Sequence, residues 1–336
     1  MINCDDSLVD LYNYSNTYYR IASGYGEFKF ADAGYFLLQK VVVSFGFSFL
    51  QFRMIVFGLC FCLIYSVIKR YTNNISMFVL FYSLFYSIMD GEQLRNFIAF
   101  SIIIYGLPNI IEDKKHGLVK YIICNIVAMQ FHFMAISYFL LLIVKAKEGI
   151  KRTLIRVVPV YLIVMYYVAR HGSIVQNLLV SVSEFGNEQV VNKMANYSIT
   201  SSKLGFLLPC GLYIIEFVSI ILLNTKTETV KLSLGQLLSQ NKKSIDKHIY
   251  TNISIVNAIG CLFIPICMVN LTFYRLLRNI TMFNLIYMSS LYSEEKKTSM
   301  KKFIVLILII LTVGWQIWDF FIYQEWDVMK AYYFHI

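Results

Sequence analysis

The sequence predicts an all-α, polytopic integral membrane protein with about nine to eleven membrane helices, including one short re-entrant pair. Three observations predict it. Of 336 residues, 58% are hydrophobic and only 15% charged, too few charges to cover a water-soluble domain. The apolar residues fall in blocks long enough to cross a bilayer, and short Lys-rich connectors separate the blocks.

The elements follow in order. Residues 1–34 are polar, with no basic start and no early apolar run, so no signal peptide is read there. An apolar stretch opens at Tyr35, is interrupted by Lys40, and gives way to a cleaner span from about Phe52 to Ile68, closed by Lys69 and Arg70. The next runs from Ile75 to Met89 and ends in Asp90-Gly91-Glu92-Gln93. Another runs from Phe97 to Ile111 and leaves through Glu112-Asp113-Lys114-Lys115-His116. The stretch from Tyr121 to Val144 is broken at its centre by Gln130-Phe131-His132. Further spans lie near 154–169, 205–223, 249–270, 280–292 and 303–323, the last with Trp315, Trp318 and Trp326 as interfacial anchors.

Lys and Arg assign the sides. The connectors at 69–70, 114–120, 145–156, 226–247 and 296–302 hold 19 of the 30 basic residues, which places them in the cytoplasm. Residues 1–34, 90–96, the 171–204 loop and 271–279 then face outward. The stretch from Tyr121 to Val144 must begin and end inside, yet is too short for two full crossings, so a re-entrant or short tilted pair is expected. Such broken helices persist only where they line a cavity or pack in protein. An outward polar N-terminus with no span before it also raises the expectation of a further helix upstream of Met1.

The same clustering explains the net charge of +10 without nucleic acid. Of seven cysteines, six lie in apolar stretches and Cys4 has no aqueous partner, so neither disulfide nor structural metal is expected. No glycine-rich phosphate loop and no internal repeat is visible, and the 224–248 cytoplasmic loop is too short to fold alone. The chain reads as one polytopic domain, 1–336.

Candidate chemistry lies in polar groups beside apolar spans, where ionisable residues are costly. Arg95 stands where an outer loop becomes a helix, offering a guanidinium fork beside free backbone N–H groups, a fit for phosphate; the alternative is a snorkelling interfacial arginine. Arg275 and Arg278 are three apart and share a helix face on the outer side, where an anionic lipid-linked substrate or internal carboxylates would compensate them. His132 interrupts an apolar stretch as a base, a phosphate donor or a hinge anchor, or it bonds a backbone carbonyl. Asp6, Asp10, Asp32, Asp90 and Glu92 are outer carboxylates able to accept a hydroxyl proton or to steady an oxocarbenium-like centre.

Four stretches, in order across about 10–290, resemble the EpsG-like group of Wzy-type polysaccharide polymerases. Asp10-Leu11-Tyr12-Asn13-Tyr14 followed by Asp32-Ala33-Gly34-Tyr35 is similar to an acidic-Tyr motif and then Glu-Pro-Gly-aromatic. Arg95-Asn96-Phe97-Ile98-Ala99 is similar to Arg-Gln-x-x-Ala, and Phe131-His132-Phe133-Met134-Ala135 to Phe-His-x-x-Ala. Tyr274-Arg275-Leu276-Leu277-Arg278 is similar to an arginine motif of the C-terminal half. Asp32, Ala33 and Asn96 depart from the pattern, and the family's usual first helix is missing.

The resemblance implies a bacterial cytoplasmic-membrane enzyme that polymerises oligosaccharide repeats carried on undecaprenyl pyrophosphate at the outer leaflet, with a GT-C-like arrangement compatible. Arg95, Arg275, His132 and Asp32 would be catalytic; Arg278, Asp10, Tyr14, Tyr35, Asp90 and Glu92 would bind substrate. No cofactor is implied, and chain-length regulator and flippase proteins would be partners besides the bilayer. Two other readings stay open. An acyltransferase that decorates polysaccharide also uses an intramembrane His and arginines, but usually opens with an arginine-rich motif that is not seen here. A transporter or flippase of lipid-linked sugar tends to show paired halves with Gly/Pro-broken helices.

Overall fold

The computed structural model of the chain describes residues 9–26, 28, 32–72, 74–171, 206–225, 247–269, 273–293 and 299–318. The described residues are overwhelmingly helical, and none of them forms a strand. Helices satisfy their own backbone groups, the condition for an open chain to cross hydrocarbon. Among the described residues, Phe49–Tyr71, Leu94–Ile111 and Thr251–Met268 are long and apolar enough to do so. Shorter apolar helices cover Ala33–Ser44, Gly117–Met129, Phe133–Lys145, Leu207–Ile221 and Lys302–Leu311. The expected all-α membrane class is therefore what the chain forms. Most of the expected 171–204 and 224–248 loops, with Asp6 and Trp326, lies outside the described residues.

The chain divides into two compact units, one of residues 1–142 with 285–336 and one of 143–284. The first unit opens with α1 (Val9–Ala22), whose Leu11, Tyr14, Tyr18 and Ile21 are buried at helical spacing while Tyr12 and Tyr19 are exposed. α1 packs on α2 (Ala33–Ser44) and α3 (Phe49–Tyr71): the Tyr18 ring lies 5.7 Å from Phe49 and 5.3 Å from Phe52. Its hydroxyl donates to the Phe47 carbonyl at 2.6 Å. α3 starts at a capping box in which Ser48 and Gln51 exchange side-chain and backbone bonds, so the helix begins before the first clean apolar run.

The expected span 75–89 is not one regular helix. It consists of α4 (Ile75–Phe81), a π-helical turn (Tyr82–Tyr86) and α5 (Ser87–Glu92). Phe78, Tyr82 and Tyr86 stack in a column there, with ring centroids 5.6 and 6.3 Å apart. α6 (Leu94–Gly106) and α7 (Pro108–Ile111) make the next span, with Pro108 at the first position of α7, where a missing N–H is tolerated. α3 and α6 run parallel: Phe57 meets Phe97 at 5.1 Å, and Arg70 in the last turn of α3 grips the Glu112 carboxylate, just past α7, with two donors. That pair joins the ends of two helices that the basic clusters assign to one side.

The stretch expected to be re-entrant is a hairpin. α8 (Gly117–Met129) stops at the Gln130–His132 break, and a 3-10 helix (Phe133–Lys145) returns. The Tyr121 hydroxyl donates to the Tyr138 carbonyl at 2.8 Å. The Asn125 amide donates to the Ala135 carbonyl at 2.9 Å and accepts from the Phe139 N–H at 3.1 Å. Rising residue numbers on one arm meet falling ones on the other, so the arms are antiparallel and their outer ends lie on one side. Thirteen α-helical residues rise about 20 Å, short of the ~30 Å hydrocarbon core.

The second unit holds α9 (Glu148–His171), α10 (Leu207–Thr225), α11 (Lys247–Cys261), α12 (Ile264–Val269) and the start of α13 (Tyr274–Ser293). Its interior carries polar groups that hold helices together. Asn284 of α13 donates to Glu216 of α10 at 3.0 Å and to Asn257 of α11 at 2.7 Å, all three buried. Lys151 of α9, also buried, donates to Asn252 at 3.0 Å and Glu148 at 2.8 Å. In an apolar setting each unmade bond of this kind is costly, so the set ties α9, α10, α11 and α13 in one register. α14 (Ser299–Trp318) belongs to the first unit and packs against the π turn.

Candidate functional site

Asp32 precedes the first residue of α2, the position from which an aspartate normally caps the second or third N–H of its own helix. Here it makes no such bond. The second N–H of α2, that of Gly34, donates instead to the Gln130 carbonyl at the end of α8, at 2.9 Å. A helix N-terminus thereby meets a helix C-terminus, each satisfying the other's orphan group. The approach needs glycine: a Cβ at Gly34 would stand 2.9 Å from Gln130 Cβ and 3.1 Å from its carbonyl oxygen.

The Asp32 carboxylate, released from capping, accepts from Arg95 Nη1 at 2.5 Å. Arg95 is the second residue of α6, whose first turn receives no side-chain cap. Its guanidinium lies 5.3 Å from the centroid of the Tyr14 ring, a cation–π contact. Tyr14 in turn packs on Tyr35 at 5.7 Å, and Tyr35 on Phe52 at 5.9 Å. The side chains of Arg95 and Asp32 keep 24% and 31% of their exposure, so the pair is reachable from solvent while the tyrosines behind it are buried.

Four residues singled out in the sequence are thus in one cluster: Tyr14, Asp32, Tyr35 and Arg95. The Gly34–Gln130 bond adds the hairpin break, two residues before His132. His132 is half-buried; its N–H donates to the Ala128 carbonyl at 3.0 Å and its carbonyl accepts from the Ala135 N–H at 2.9 Å, which fixes the reversal of the chain. Asp10 is half-buried one turn before Tyr14 on the same face of α1. Asp90 is only 1% exposed and accepts from the Tyr82 hydroxyl at 3.0 Å, a role inside the helix packing rather than on an aqueous rim. Glu92 is half-buried at the last residue of α5. Arg275 and Arg278 lie on α13 in the second unit, Arg275 half-buried and Arg278 buried, its carbonyl accepting from the Thr281 hydroxyl at 2.7 Å.

Sequence reading missed Arg53, Gln130 as a backbone acceptor, and Glu216. The signal for Arg53 is an arginine inside an apolar helix, two residues past a Ser-x-x-Gln start; for Glu216, a carboxylate amid the apolar residues of α10.

A helical chain with bilayer-length apolar spans, a folded-back hairpin, and an Arg–Asp–Tyr cluster at one end of a span defines a polytopic membrane protein with a partly exposed ion pair at its candidate site. Its sequence carries that class to a family. The model of the EpsG family matches residues 5–333, and the chain belongs to that family, which is associated with Wzy-type polysaccharide polymerases. It is a membrane protein of polysaccharide biosynthesis. No curated protein and no solved structure matches the chain.

Proposed function

We propose that this chain joins oligosaccharide repeats carried on undecaprenyl pyrophosphate into a capsular or exopolysaccharide at the outer face of the bacterial cytoplasmic membrane. The observation that carries the reading is the cluster around Arg95: a fixed, partly exposed guanidinium at the end of an apolar span, beside a broken hairpin. The acceptor hydroxyl oxygen attacks the anomeric carbon of the donor sugar, and the bond from that carbon to the lipid pyrophosphate breaks. Negative charge grows on the departing diphosphate, where a preorganised cation lowers the barrier most. Arg95 fills that role; on the second unit, Arg275 is assigned a catalytic part and Arg278 a substrate-binding one.

The hydroxyl proton needs a base. Asp32 and His132 are the two candidates, both tied to the Gly34–Gln130 junction. Asp10, Tyr14, Tyr35 and Glu92 are assigned to substrate binding, directly or by holding the cluster, while Asp90, buried against Tyr82, supports the helix packing. An activated lipid donor makes a nucleotide or metal cofactor unnecessary to the reaction. A flippase supplying the donor and a chain-length regulator fit as partners.

The test is deletion in the native host with length analysis of surface polysaccharide and of lipid-linked intermediates. Single repeats accumulating on lipid support the reading. Polymer of normal length lacking one acyl group would replace it with an acyltransferase.

A further inference from the structure

We propose that Arg53 and Tyr35 join Arg95 in gripping the diphosphate of a lipid-linked donor, so that the anion is held by donors from three helices. The inference rests on the polymerase reading and deepens it.

The first observation is an unmet donor. Tyr35 is 4% exposed, and its buried hydroxyl has no hydrogen-bond partner among the described residues. A phenol in that state is anomalous, because buried polar groups are almost always bonded. The second is of the same kind and adjacent: Arg95 Nε is buried and has no acceptor among the described residues, while Nη1 of the same guanidinium serves Asp32. Two unmet buried donors therefore neighbour each other, with the Asp32 carboxylate already engaged by Nη1 of the same guanidinium.

The third observation brings in Arg53. Phe57–Phe97 and Arg70–Glu112 fix α3 and α6 side by side, parallel, with an offset of about forty residues. Arg53 stands one turn before Phe57, and Arg95 half a turn before Phe97, so both guanidinium groups sit at the same end of the pair. Phe52, next to Arg53, packs its ring on Tyr35 at 5.9 Å. Arg95, Asp32 and Arg53 all lie close enough for their charges to act on the Tyr35 hydroxyl.

The chemistry of the occupant follows. It must bring acceptors for the unmet phenol and Arg95 Nε, and negative charge, since of the two guanidinium groups at this end Asp32 is seen to pair with Arg95 alone and through Nη1 only. One carboxylate offers two oxygens and suits one fork; a diphosphate spreads its oxygens over enough length to engage forks from α3 and α6 together. The partial exposure of Arg95 and Asp32 provides the entrance. Because the wall is apolar helix, the anion arrives attached to a lipid.

The experiment uses the full chain in nanodiscs. Binding of labelled undecaprenyl pyrophosphate is titrated for wild type, Tyr35→Phe, Arg53→Gln, Arg53→Lys and Arg95→Gln, with undecaprenyl monophosphate and inorganic pyrophosphate as competitors. Tyr35→Phe removes one oxygen and keeps the ring packing, and melting temperatures check that each variant folds. The expected result is a loss of about tenfold or more in affinity for Tyr35→Phe and for Arg53→Gln. Arg53→Lys should recover part of it, and the preference of diphosphate over monophosphate should shrink in both weakened variants. Wild-type affinity in Tyr35→Phe and Arg53→Gln, with loss only in Arg95→Gln, overturns the cradle and leaves the polymerase reading standing. Inorganic pyrophosphate competing as well as the lipid overturns the lipid assignment. Failure of the wild type to bind the lipid diphosphate overturns the polymerase reading and the cradle with it.

Discussion

Gly34 and Gln130, ninety-six residues apart, share a backbone hydrogen bond of 2.9 Å, and that bond takes one of the N–H groups Asp32 stands in place to cap. The Gly34 N–H is taken by that bond, and the Asp32 carboxylate, which caps no N–H of α2, pairs with Arg95. A helix start, a helix end and an ion pair are therefore one arrangement. Three of the four motif stretches meet through it.

Gly34→Ala should disturb this junction, since the added carbon would press on Gln130 from 2.9 Å. Overpacking of this kind costs roughly 1–3 kcal/mol, and Gly34→Val should cost more. Thermal unfolding of the purified protein in detergent measures the loss. Polymer length in the host should shorten in parallel, and unchanged melting in both variants would contradict the close approach.

Arg95→Gln should abolish or nearly abolish polymer, with single repeats left on lipid. Asp32→Asn should be milder in stability, because a pair about a quarter to a third exposed contributes only about 1 kcal/mol or less. If Asp32 is the base, however, its loss should lower turnover far more than it lowers substrate affinity. His132→Gln distinguishes the alternatives, the base being whichever residue gives that signature.

The hairpin is tested through its latch. Tyr121→Phe leaves the Tyr138 carbonyl without its 2.8 Å donor and should cost about 1–2 kcal/mol, read as a lowered melting temperature. Cysteines placed at Lys115 and Lys147 should label from the same side of the membrane, and label from opposite sides only if the arms do not fold back.

In the second unit, Asn284→Leu should be strongly destabilising. It strips donors from Glu216 and Asn257 at once, and a buried acceptor left without its partner costs about 1–3 kcal/mol, more when charged. Adding Glu216→Leu should recover part of the loss, because an apolar pair asks for no hydrogen bonds. The double-mutant cycle of unfolding free energies checks this coupling.

The sequence by itself determined the class of the molecule. Bilayer-length apolar blocks, sparse charge and clustered Lys and Arg leave few architectures open, because an unsatisfied backbone cannot sit in hydrocarbon. It also located the break at Gln130–His132, since three residues of that character cannot continue an apolar helix unnoticed, and the chain does fold back there. Arg95, Asp32, Tyr14 and Tyr35 were legible as candidates one by one.

Their gathering was not legible, nor was the place of Arg53. Asp32 reads as an outer carboxylate in sequence, and its partnership with Arg95 exists only once α2 and α6 are brought together. Asp90 reads as a rim carboxylate and is buried against Tyr82. Local composition sets which segments leave water, but the partner of each buried polar group is chosen by contacts between segments far apart in the chain, and those exist only once the helices pack.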